Sequence, residues 1–168
     1  RQAMLASLQH GVLILTGGPG TGKTTVVRGM LEVLEKEGFK ILLGAPTGRA
    51  AKRLAEATGK EASTVHRLLE ASVDGSGAQV FLRDADRQLE ADVVILDEVS
   101  MMDMPLTDSF LQAVPDGCRV IFVGDADQLP SVGPGAVLKD LMRSEAVPVV
   151  RLTEVYRQAQ GGGIVENA

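Results

Sequence analysis

A glycine-rich motif, placed between an apolar run and a helical pattern, constrains the fold of this chain more than any other feature. Residues Gly17–Thr24 read GGPGTGKT and fit the phosphate-loop pattern G-x-x-x-x-G-K-[ST]. The apolar run Val12–Leu15 before it predicts a buried strand, and Thr24–Glu37 after it carries apolar residues at helical spacing. Glycines at this junction let backbone N–H groups close around a phosphate at a helix N-terminus, where the helix dipole favours negative charge. The motif therefore predicts a nucleotide-binding α/β protein, with Lys23 on the β- and γ-phosphates and the Thr24 hydroxyl on Mg²⁺.

The length and charge of the chain bound the classes of protein to which it can belong. With 168 residues, of which 45% are hydrophobic and 23% charged, the chain can bury one α/β core but not two. Its formal net charge of −5 argues against a broad nucleic-acid-binding surface, so any such contact must come from a local patch. The single cysteine, Cys118, cannot form an internal disulfide, and no apolar stretch approaches the ~18 residues of a membrane span. We therefore expect a cytoplasmic protein with no membrane partner.

Five apolar runs alternate with helical patterns along the chain. The runs are Val12–Leu15, Ile41–Leu43, Val93–Leu96, Val120–Val123 and Val147–Leu152, and the predicted helices are Thr24–Glu37, Arg49–Thr58, Thr64–Ala71, Pro105–Ala113 and Ala136–Arg143. Gly38 and Gly59 follow the first two helices at the usual stop position. The weakly periodic segment from Ser72 to Glu90 predicts a surface excursion, with a hairpin as one form of it. This alternation indicates an α/β fold in which a mostly parallel sheet is covered by helices on both faces, the three-layer form of P-loop NTPases.

Two further motifs place polar side chains at predicted strand ends. The strand Val93–Leu96 runs into Asp97 and Glu98, the form of a Walker B element, in which Asp97 would hold Mg²⁺ and Glu98 would act as general base toward water. The next strand runs into Gly124–Pro130, where Gln128 can donate to a γ-phosphate oxygen and accept from water. Because doubly wound sheets bind ligands at the carboxyl ends of their strands, we expect both clusters near the phosphate loop. Solvated loop acids and a turn stabilised by Asp side chains are the alternatives.

The stretch from Ala45 to Glu70 is locally basic in an acidic chain. Thr47 and Arg49 lie where a helix begins after the second strand, a position that could hold a polynucleotide phosphate. The segment STVHRLL predicts an N-capped helix whose first turn carries Thr64 and His66, either of which could touch a backbone or a base. A solvated helix face explains the charges as well, and a single histidine is more often structural than functional.

Tyr156 and Arg157 follow the last predicted strand. The tyrosine ring could stack on adenine, and the guanidinium could neutralise γ-phosphate charge, an effect worth roughly 10³ or more in rate where an arginine acts this way. A strand-end Tyr-Arg pair without a ligand fits these residues equally well.

The motifs, in this order and spacing, resemble those of superfamily 1 DNA helicases of the RecD type. The resemblance rests on GGPGTGKTT at 17–25, APTGRAAKRL at 45–54, STVHRLL at 63–69, DEVSMMD at 97–103, GDADQLPSVGPG at 124–135 and LTEVYRQ at 152–158. It implies the first RecA-like motor domain of an enzyme that hydrolyses ATP with Mg²⁺ while it moves 5′ to 3′ on single-stranded DNA.

By matching position, the resemblance implies a role for each motif residue. The catalytic set is Lys23, Asp97, Glu98, Gln128 and Arg157, the last two as γ-phosphate sensors. The implied nucleotide contacts are Gly18, Gly20, Thr21, Gly22, Lys23, Thr24, Thr25 and the adenine-stacking Tyr156, with Thr24 and Asp97 on the metal. The elements that line the DNA track contain Thr47, Arg49, Thr64 and His66.

Two departures from the family pattern concern the ends of the sequence. An adenine-reading glutamine would fall one residue before Arg1, and a second RecA-like domain, which supplies another arginine to the ATP cleft, would follow Ala168. The resemblance thus implies that residues 1–168 form a RecA-like ATP-binding helicase domain truncated at both ends. Its partners would be single-stranded DNA and the second RecA-like domain of the same protein.

Two other functions remain open at this point. A stand-alone P-loop ATPase of the PhoH kind, or one that acts on RNA, shares similar phosphate and Asp-Glu elements, although TVHRLL and VYRQ disfavour it. A nucleotide-gated interaction module without turnover is the other, and the intact catalytic set disfavours that.

Overall fold

The computed structural model of the chain describes residues 2–129 and 131–153, so Tyr156 and Arg157 lie outside the described residues. The helices are α1 (Gln2–Gln9), α2 (Lys23–Lys36), α3 (Gly48–Thr58), α4 (Val65–Leu68), α5 (Met104–Ala113) and α6 (Val137–Arg143), with a 3-10 turn at Val99–Met101. The strands are β1 (Val12–Gly17), β2 (Ile41–Ala45), β3 (Ser63–Thr64), β4 (Ala71–Val73), β5 (Gln79–Phe81), β6 (Val93–Leu96), β7 (Arg119–Gly124) and β8 (Val149–Leu152). None of these helices combines the length and hydropathy that a membrane span needs.

Six strands form one sheet in the order β3-β2-β6-β7-β1-β8, and each neighbouring pair is parallel. The remaining two, β4 and β5, pair antiparallel in a separate hairpin, as expected for the surface segment. The predicted α/β architecture with a mostly parallel sheet is therefore confirmed.

Alternating side chains of the sheet enter two separate cores, one on each face. Leu13 and Leu15 of β1 pack on one face with Met30 of α2, while Ile14 packs on the other with Phe110 of α5. The near-continuous burial of β1, β6 and β7 explains why these strands read as unbroken apolar runs, since both faces of a parallel sheet are covered. Helices on both faces give the three layers.

The first helix, α1, is not among the helices predicted from periodicity. It is only eight residues long, and its fully buried residues are a small one and a polar one, Ala3 and Ser7, whereas Met4 and Leu8 are only partly buried against the core. Met4 packs against the Cα of Gly29 in α2, where a side chain at that glycine would overlap its Cε. Close packing between two helices therefore forms α1, which a sequence pattern does not reveal.

The prediction of a helix over Thr64–Ala71 is wrong in its length. Thr64 is extended and pairs with Ala45 as part of β3, so the helix begins one residue later and ends at Leu68. Glu70 then takes a left-handed conformation with φ 53°, and Ala71 begins β4. Strand pairing at one end and this turn at the other limit α4 to four residues.

Candidate active site

A side-chain hydrogen bond and a left-handed glycine define the shape of the phosphate loop. The Thr21 hydroxyl donates to the Gly18 carbonyl at 2.8 Å, which closes the loop across its base. Gly22 caps α2 in the left-handed region, with φ 85° and no side-chain cap, so the first N–H groups of the helix stay open toward the loop. A side chain at Gly17 would lie 2.6 Å from the Thr21 Oγ1 and 2.9 Å from the Leu152 carbonyl oxygen. The loop therefore fits tightly against β8.

Lys23 is the first residue of α2, and its ammonium group lies across the loop. Its Nζ donates to the Gly17 carbonyl at 2.6 Å and to the Gly18 carbonyl at 3.0 Å. Both acceptors are neutral carbonyls, so the positive charge is not cancelled there and also acts on the carboxylates of Asp97 and Glu98. A cation held in this place can bind the phosphate oxygens of a nucleotide.

The two carboxylates follow β6, as predicted, and adopt different local geometries. The Asp97 N–H donates to the Gly44 carbonyl at 2.9 Å, and Asp97 Oδ1 accepts from the Glu98 N–H at 2.8 Å. Glu98 is in the left-handed region with φ 55°, which turns the chain into the 3-10 helix. Burial raises the pKa of both carboxyl groups, and Lys23 opposes this shift in each. For Glu98 the Asp97 carboxylate adds to the rise in pKa, and Arg53 opposes it.

The oxygen donors at this edge fit Mg²⁺, which takes one or two carboxylates, keeps several waters and is bridged to substrate phosphates. Asp97 uses Oδ1 in the hydrogen bond from Glu98, and no hydrogen bond to Oδ2 is present in the described residues. Thr24 is exposed at the second position of α2, beside Lys23. Over residues 2–129 and 131–153 there is no group of three or more His, Cys, Asp or Glu that could cage a metal. A Mg²⁺ ion held by Thr24 and Asp97 would take its other ligands from water and from the phosphates of a nucleotide.

The loop after β7 brings Gln128 to the Walker B turn. The loop is tied to β1 by the Ala126 N–H, which donates to the Thr16 hydroxyl at 3.3 Å, and Asp125 is buried beneath it. The Gln128 N–H donates to the Asp125 carbonyl at 3.2 Å, while its Oε1 accepts from the Ser100 hydroxyl at 3.4 Å. Gln128 therefore joins the Asp97–Glu98 cluster, as its strand-end position predicted.

One sizeable cavity adjoins the phosphate loop and another adjoins Glu98 and Gln128. The larger, about 540 Å³, is lined by the phosphate loop, α2 and the end of β8: Thr21, Gly22, Thr25, Val26, Arg151, Leu152 and Thr153. The smaller, about 260 Å³, is lined by Thr47, Arg49, Ala50, Arg53, Glu98, Met101 and Gln128. The first cavity lies between the phosphate loop and the end of β8. The second lies between Glu98, the predicted base, and α3.

The threonines predicted to contact DNA are brought together by the register of two strands. Thr47 caps α3 and accepts from the Ala50 N–H at 3.2 Å, and Thr64 caps α4 and accepts from the Arg67 N–H at 3.1 Å. Since Ala45 lies opposite Thr64 in the parallel β2–β3 pair, both caps stand at the same edge of the sheet. The two capped helix starts therefore lie side by side at the carboxyl ends of β2 and β3.

The other two predicted DNA residues lie in different surroundings. His66 contacts the hairpin, where its ring centroid is 5.8 Å from that of Phe81 at a tilt of 55°. Arg49 lines the smaller cavity with Glu98, so it adjoins the hydrolytic cluster. Arg53, one helical turn later, lines the same cavity; the sequence indicated it only as one of the basic residues between Ala45 and Arg53 that could contact DNA, and not as a neighbour of Glu98. Its i,i+4 spacing from Arg49 was the available signal, but only the adjacency of β2 and β6 places it near Glu98.

A family profile described as an AAA domain matches residues 1–134 of the chain. The chain belongs to this AAA domain family. This chain is 48% identical over 159 residues to the ATP-dependent RecD2 DNA helicase of Deinococcus radiodurans, an alignment that covers 95% of this chain and 21% of that protein. It is 42% identical over 165 residues to the RecD subunit of the RecBCD enzyme of Mycobacterium tuberculosis, covering 84% of this chain and 28% of that one. The predicted resemblance to RecD-type helicases is therefore confirmed, and the chain spans less than a third of either relative.

Solved structures agree on the fold of the AAA domain. The Pif1 helicase from Candida albicans matches it with a TM-score of 0.66 at 24% identity, over 94% of this chain and 39% of that one. Bacteroides sp Pif1 in complex with ADP-AlF4 matches with a TM-score of 0.61 at 22% identity, over 94% of this chain and 43% of that one. The predicted RecA-like three-layer fold is confirmed.

Proposed function

We propose that this chain is the ATP-hydrolysing motor domain of a DNA helicase, which couples hydrolysis to movement on single-stranded DNA in the 5′ to 3′ direction. The observation that carries the proposal is the order of the parallel strands, which brings the loops after β1, β6 and β7, with Lys23, Asp97–Glu98 and Gln128, to the same end of the sheet. The capped helix starts at Thr47 and Thr64 lie along the same edge. The ATP-dependent DNA helicase of Deinococcus radiodurans, at 48% identity, supports the same function.

ATP binds with its phosphates in the loop. The residues that surround them are Gly18, Gly20, Thr21, Gly22, Lys23, Thr24 and Thr25. Backbone N–H groups and the Lys23 ammonium neutralise the β- and γ-phosphates, which is the main requirement of phosphoryl transfer. Mg²⁺, when bound through Thr24 and Asp97, supplies further charge neutralisation at these phosphates.

Glu98 accepts the proton of the attacking water. Its raised pKa, caused by burial and by Asp97, makes it a stronger base than a solvated glutamate, while Lys23 and Arg53 keep the ionised form accessible. Gln128 contacts the γ-phosphate through its amide, and its bond to Ser100 links this contact to the turn that carries Glu98. Loss of the γ-phosphate would therefore alter the hydrogen bonds of the loop after β7.

Single-stranded DNA lies across the β2–β3 edge. Thr47, Arg49, Thr64 and His66 are the proposed contacts, through hydroxyl and backbone N–H groups and through charge. Because the chain has a net charge of −5, a polyanion must bind at a local basic patch, and we expect binding to depend strongly on salt.

Tyr156 and Arg157, which lie outside the described residues, also belong to the proposed ATP site. Tyr156 stacks on adenine and Arg157 senses the γ-phosphate, by the resemblance of VYRQ to the family motif. A second RecA-like domain of the same protein closes the ATP cleft and supplies another arginine. A cytoplasmic location is proposed with the DNA-directed function.

The experiment compares Lys23→Ala and Glu98→Gln in the full-length protein. Lys23→Ala removes the cation across the loop, so nucleotide affinity and hydrolysis both fall. Glu98→Gln keeps the size of the side chain and loses the base, so affinity is retained and hydrolysis falls by about 10²–10⁴-fold. The measurements are nucleotide binding by titration and phosphate production at saturating ATP.

Matched control variants are available just before β2, at the amino ends of the strands and therefore away from the proposed site. Lys40 and Glu90 form an exposed ion pair there at 3.4 Å, so Lys40→Ala and Glu90→Gln repeat the same chemical changes away from the site. Both controls are expected to hydrolyse ATP like the unaltered protein. A Glu98→Gln protein that turns over at the unaltered rate would remove Glu98 from the role of base.

A further inference from the structure

The carboxylate of Glu70 joins three segments of the chain at the root of the β4–β5 hairpin. One oxygen accepts a hydrogen bond at 2.8 Å from Arg83 Nε, just after β5, and the other lies 2.7 Å from Arg87 Nη1, on the segment that returns to β6. Arg83 Nη1 in turn donates to the Gln88 carbonyl at 2.9 Å. With side chains 18% and 35% exposed, Arg83 and Glu70 form the least exposed ion pair in the described part of the chain. Solvent therefore screens this contact less than it screens the surface pairs.

The root of the hairpin is also bonded to α4, the helix that carries His66. The Leu69 carbonyl at the end of α4 accepts from the N–H groups of the two residues that follow β5, both at 3.1 Å. Phe81, the last residue of β5, lies against the His66 ring, with 5.8 Å between the ring centroids, and packs on the core. Rings at this separation make a favourable contact. The position of β5 therefore determines which orientations of the His66 ring are open.

We propose that Glu70 is a positioning residue for single-stranded DNA, which acts by fixing the orientation of the His66 ring. The link runs from the Glu70 carboxylate through Arg83 and the end of β5 to Phe81. This role rests on the proposed function, because His66 is one of its DNA contacts. The sign of the effect distinguishes positioning from charge alone. A carboxylate repels a polyanion, so its removal would strengthen DNA binding on grounds of charge, whereas the loss of a positioning contact weakens it.

The experiment replaces Glu70 with asparagine in the full-length protein. Asparagine tolerates the left-handed backbone found here, with φ 53°, better than most side chains do, and it is neutral and too short to replace the carboxylate. The measurements are the Kd for a single-stranded oligonucleotide, by fluorescence anisotropy, and the rate of ATP hydrolysis at saturating oligonucleotide. For Glu70→Asn we expect the Kd to rise about fivefold and kcat to stay within about twofold of the unaltered value.

Glu56→Asn is the matched control. Glu56 lies 3.9 Å from Lys52 on the exposed face of α3, so the same replacement removes a carboxylate and an ion pair from a different helix. The Kd of this control for the oligonucleotide is expected to be unchanged or lower, because only a negative charge is lost.

A double-mutant cycle with His66→Ala shows whether Glu70 acts through this ring. Residues that act as one unit give losses that do not multiply, whereas independent residues give losses that do. We expect the variant that carries both Glu70→Asn and His66→Ala to bind the oligonucleotide as His66→Ala alone does. Arg83→Gln breaks the same contact from its other side and should give the same result in this cycle, which provides a second route if Glu70→Asn does not fold.

Three results would overturn the positioning role. They are binding by Glu70→Asn that equals or exceeds that of the unaltered protein, a loss that multiplies with that of His66→Ala, and a fall in kcat as large as the loss of affinity, which would indicate general damage to the fold. None of them bears on the motor function. If the unaltered protein hydrolyses ATP in response to DNA and Lys23→Ala does not, the proposed function stands and only the role of Glu70 is rejected.

Discussion

Gly17→Ala tests whether the phosphate loop depends on its contact with β8. The added Cβ would lie 2.6 Å from Thr21 Oγ1, 2.9 Å from the Leu152 carbonyl oxygen and 3.0 Å from the Leu152 Cβ. Thr21 cannot turn away freely, since its hydroxyl donates to the Gly18 carbonyl at 2.8 Å. The Leu152 backbone is held by parallel pairing with Gly17 itself. Either the loop or the strand must therefore move.

Overpacking of this kind costs about 1–3 kcal/mol of folding free energy. For a domain of this size the cost corresponds to roughly 2–12 °C in Tm. The Gly17 carbonyl is also an acceptor for Lys23 Nζ at 2.6 Å, so a displaced loop misplaces the cation and weakens ATP binding. The assay is thermal unfolding of the purified chain with and without ATP and Mg²⁺, which reports both effects.

The control is Gly11→Ala, just before β1, where an added Cβ has no atom within 4 Å. It should unfold at the temperature of the unaltered chain and gain the same stabilisation from nucleotide. If Gly17→Ala matches this control in both measurements, the tight fit between the phosphate loop and β8 is not present in solution and the reasoning fails.

Two further predictions concern DNA binding and pH. Arg49→Glu in the full-length protein should weaken binding of a single-stranded oligonucleotide, and flatten its salt dependence, while ATP affinity is retained; an unchanged salt titration would reject Arg49 as a phosphate contact. The raised pKa of Glu98 means that the folded state holds its proton more tightly than the unfolded state, so this group lowers stability as the pH rises above the ordinary glutamate range, about 4. Glu98→Gln should therefore be more stable than the unaltered chain to urea at neutral pH, and the difference should vanish toward acid pH; an equal or lower stability at neutral pH would contradict the burial assigned to this carboxyl group.

Much of the fold follows from local patterns. The apolar runs form β1, β2, β6, β7 and β8, and the central strands β1, β6 and β7 need apolar residues throughout because they are buried on both faces. Gly38 and Gly59 stop their helices with φ 81° and 70°, as their positions predicted. What escaped prediction depends on partners distant in sequence. The strand β3 exists only through its pairing with β2, and α1 only through its packing on α2.

The candidate site divides in the same way. Gly17–Thr24 and Asp97–Glu98 can be recognised from their residue types and spacing. In the structure, both lie at the carboxyl ends of the parallel strands. Arg53 carries no such signal. Its place beside Glu98 follows from the order β2-β6, which brings the helix after one strand against the turn after the other. In the sequence, Arg49 and Arg53 can be recognised only as basic residues. The order of the strands determines which carboxylate lies near them.

The most direct test of the motor proposal is the rate of ATP hydrolysis against the concentration of a single-stranded oligonucleotide. It compares the full-length protein with residues 1–168 alone. In the proposed mechanism a second RecA-like domain supplies one wall of the ATP cleft and half of the DNA channel, and charge around the γ-phosphate governs the rate. We expect strong stimulation by DNA in the full-length protein, and slow, barely stimulated turnover by residues 1–168. Absence of stimulation in the full-length protein, or strong stimulation in the short chain, would contradict it.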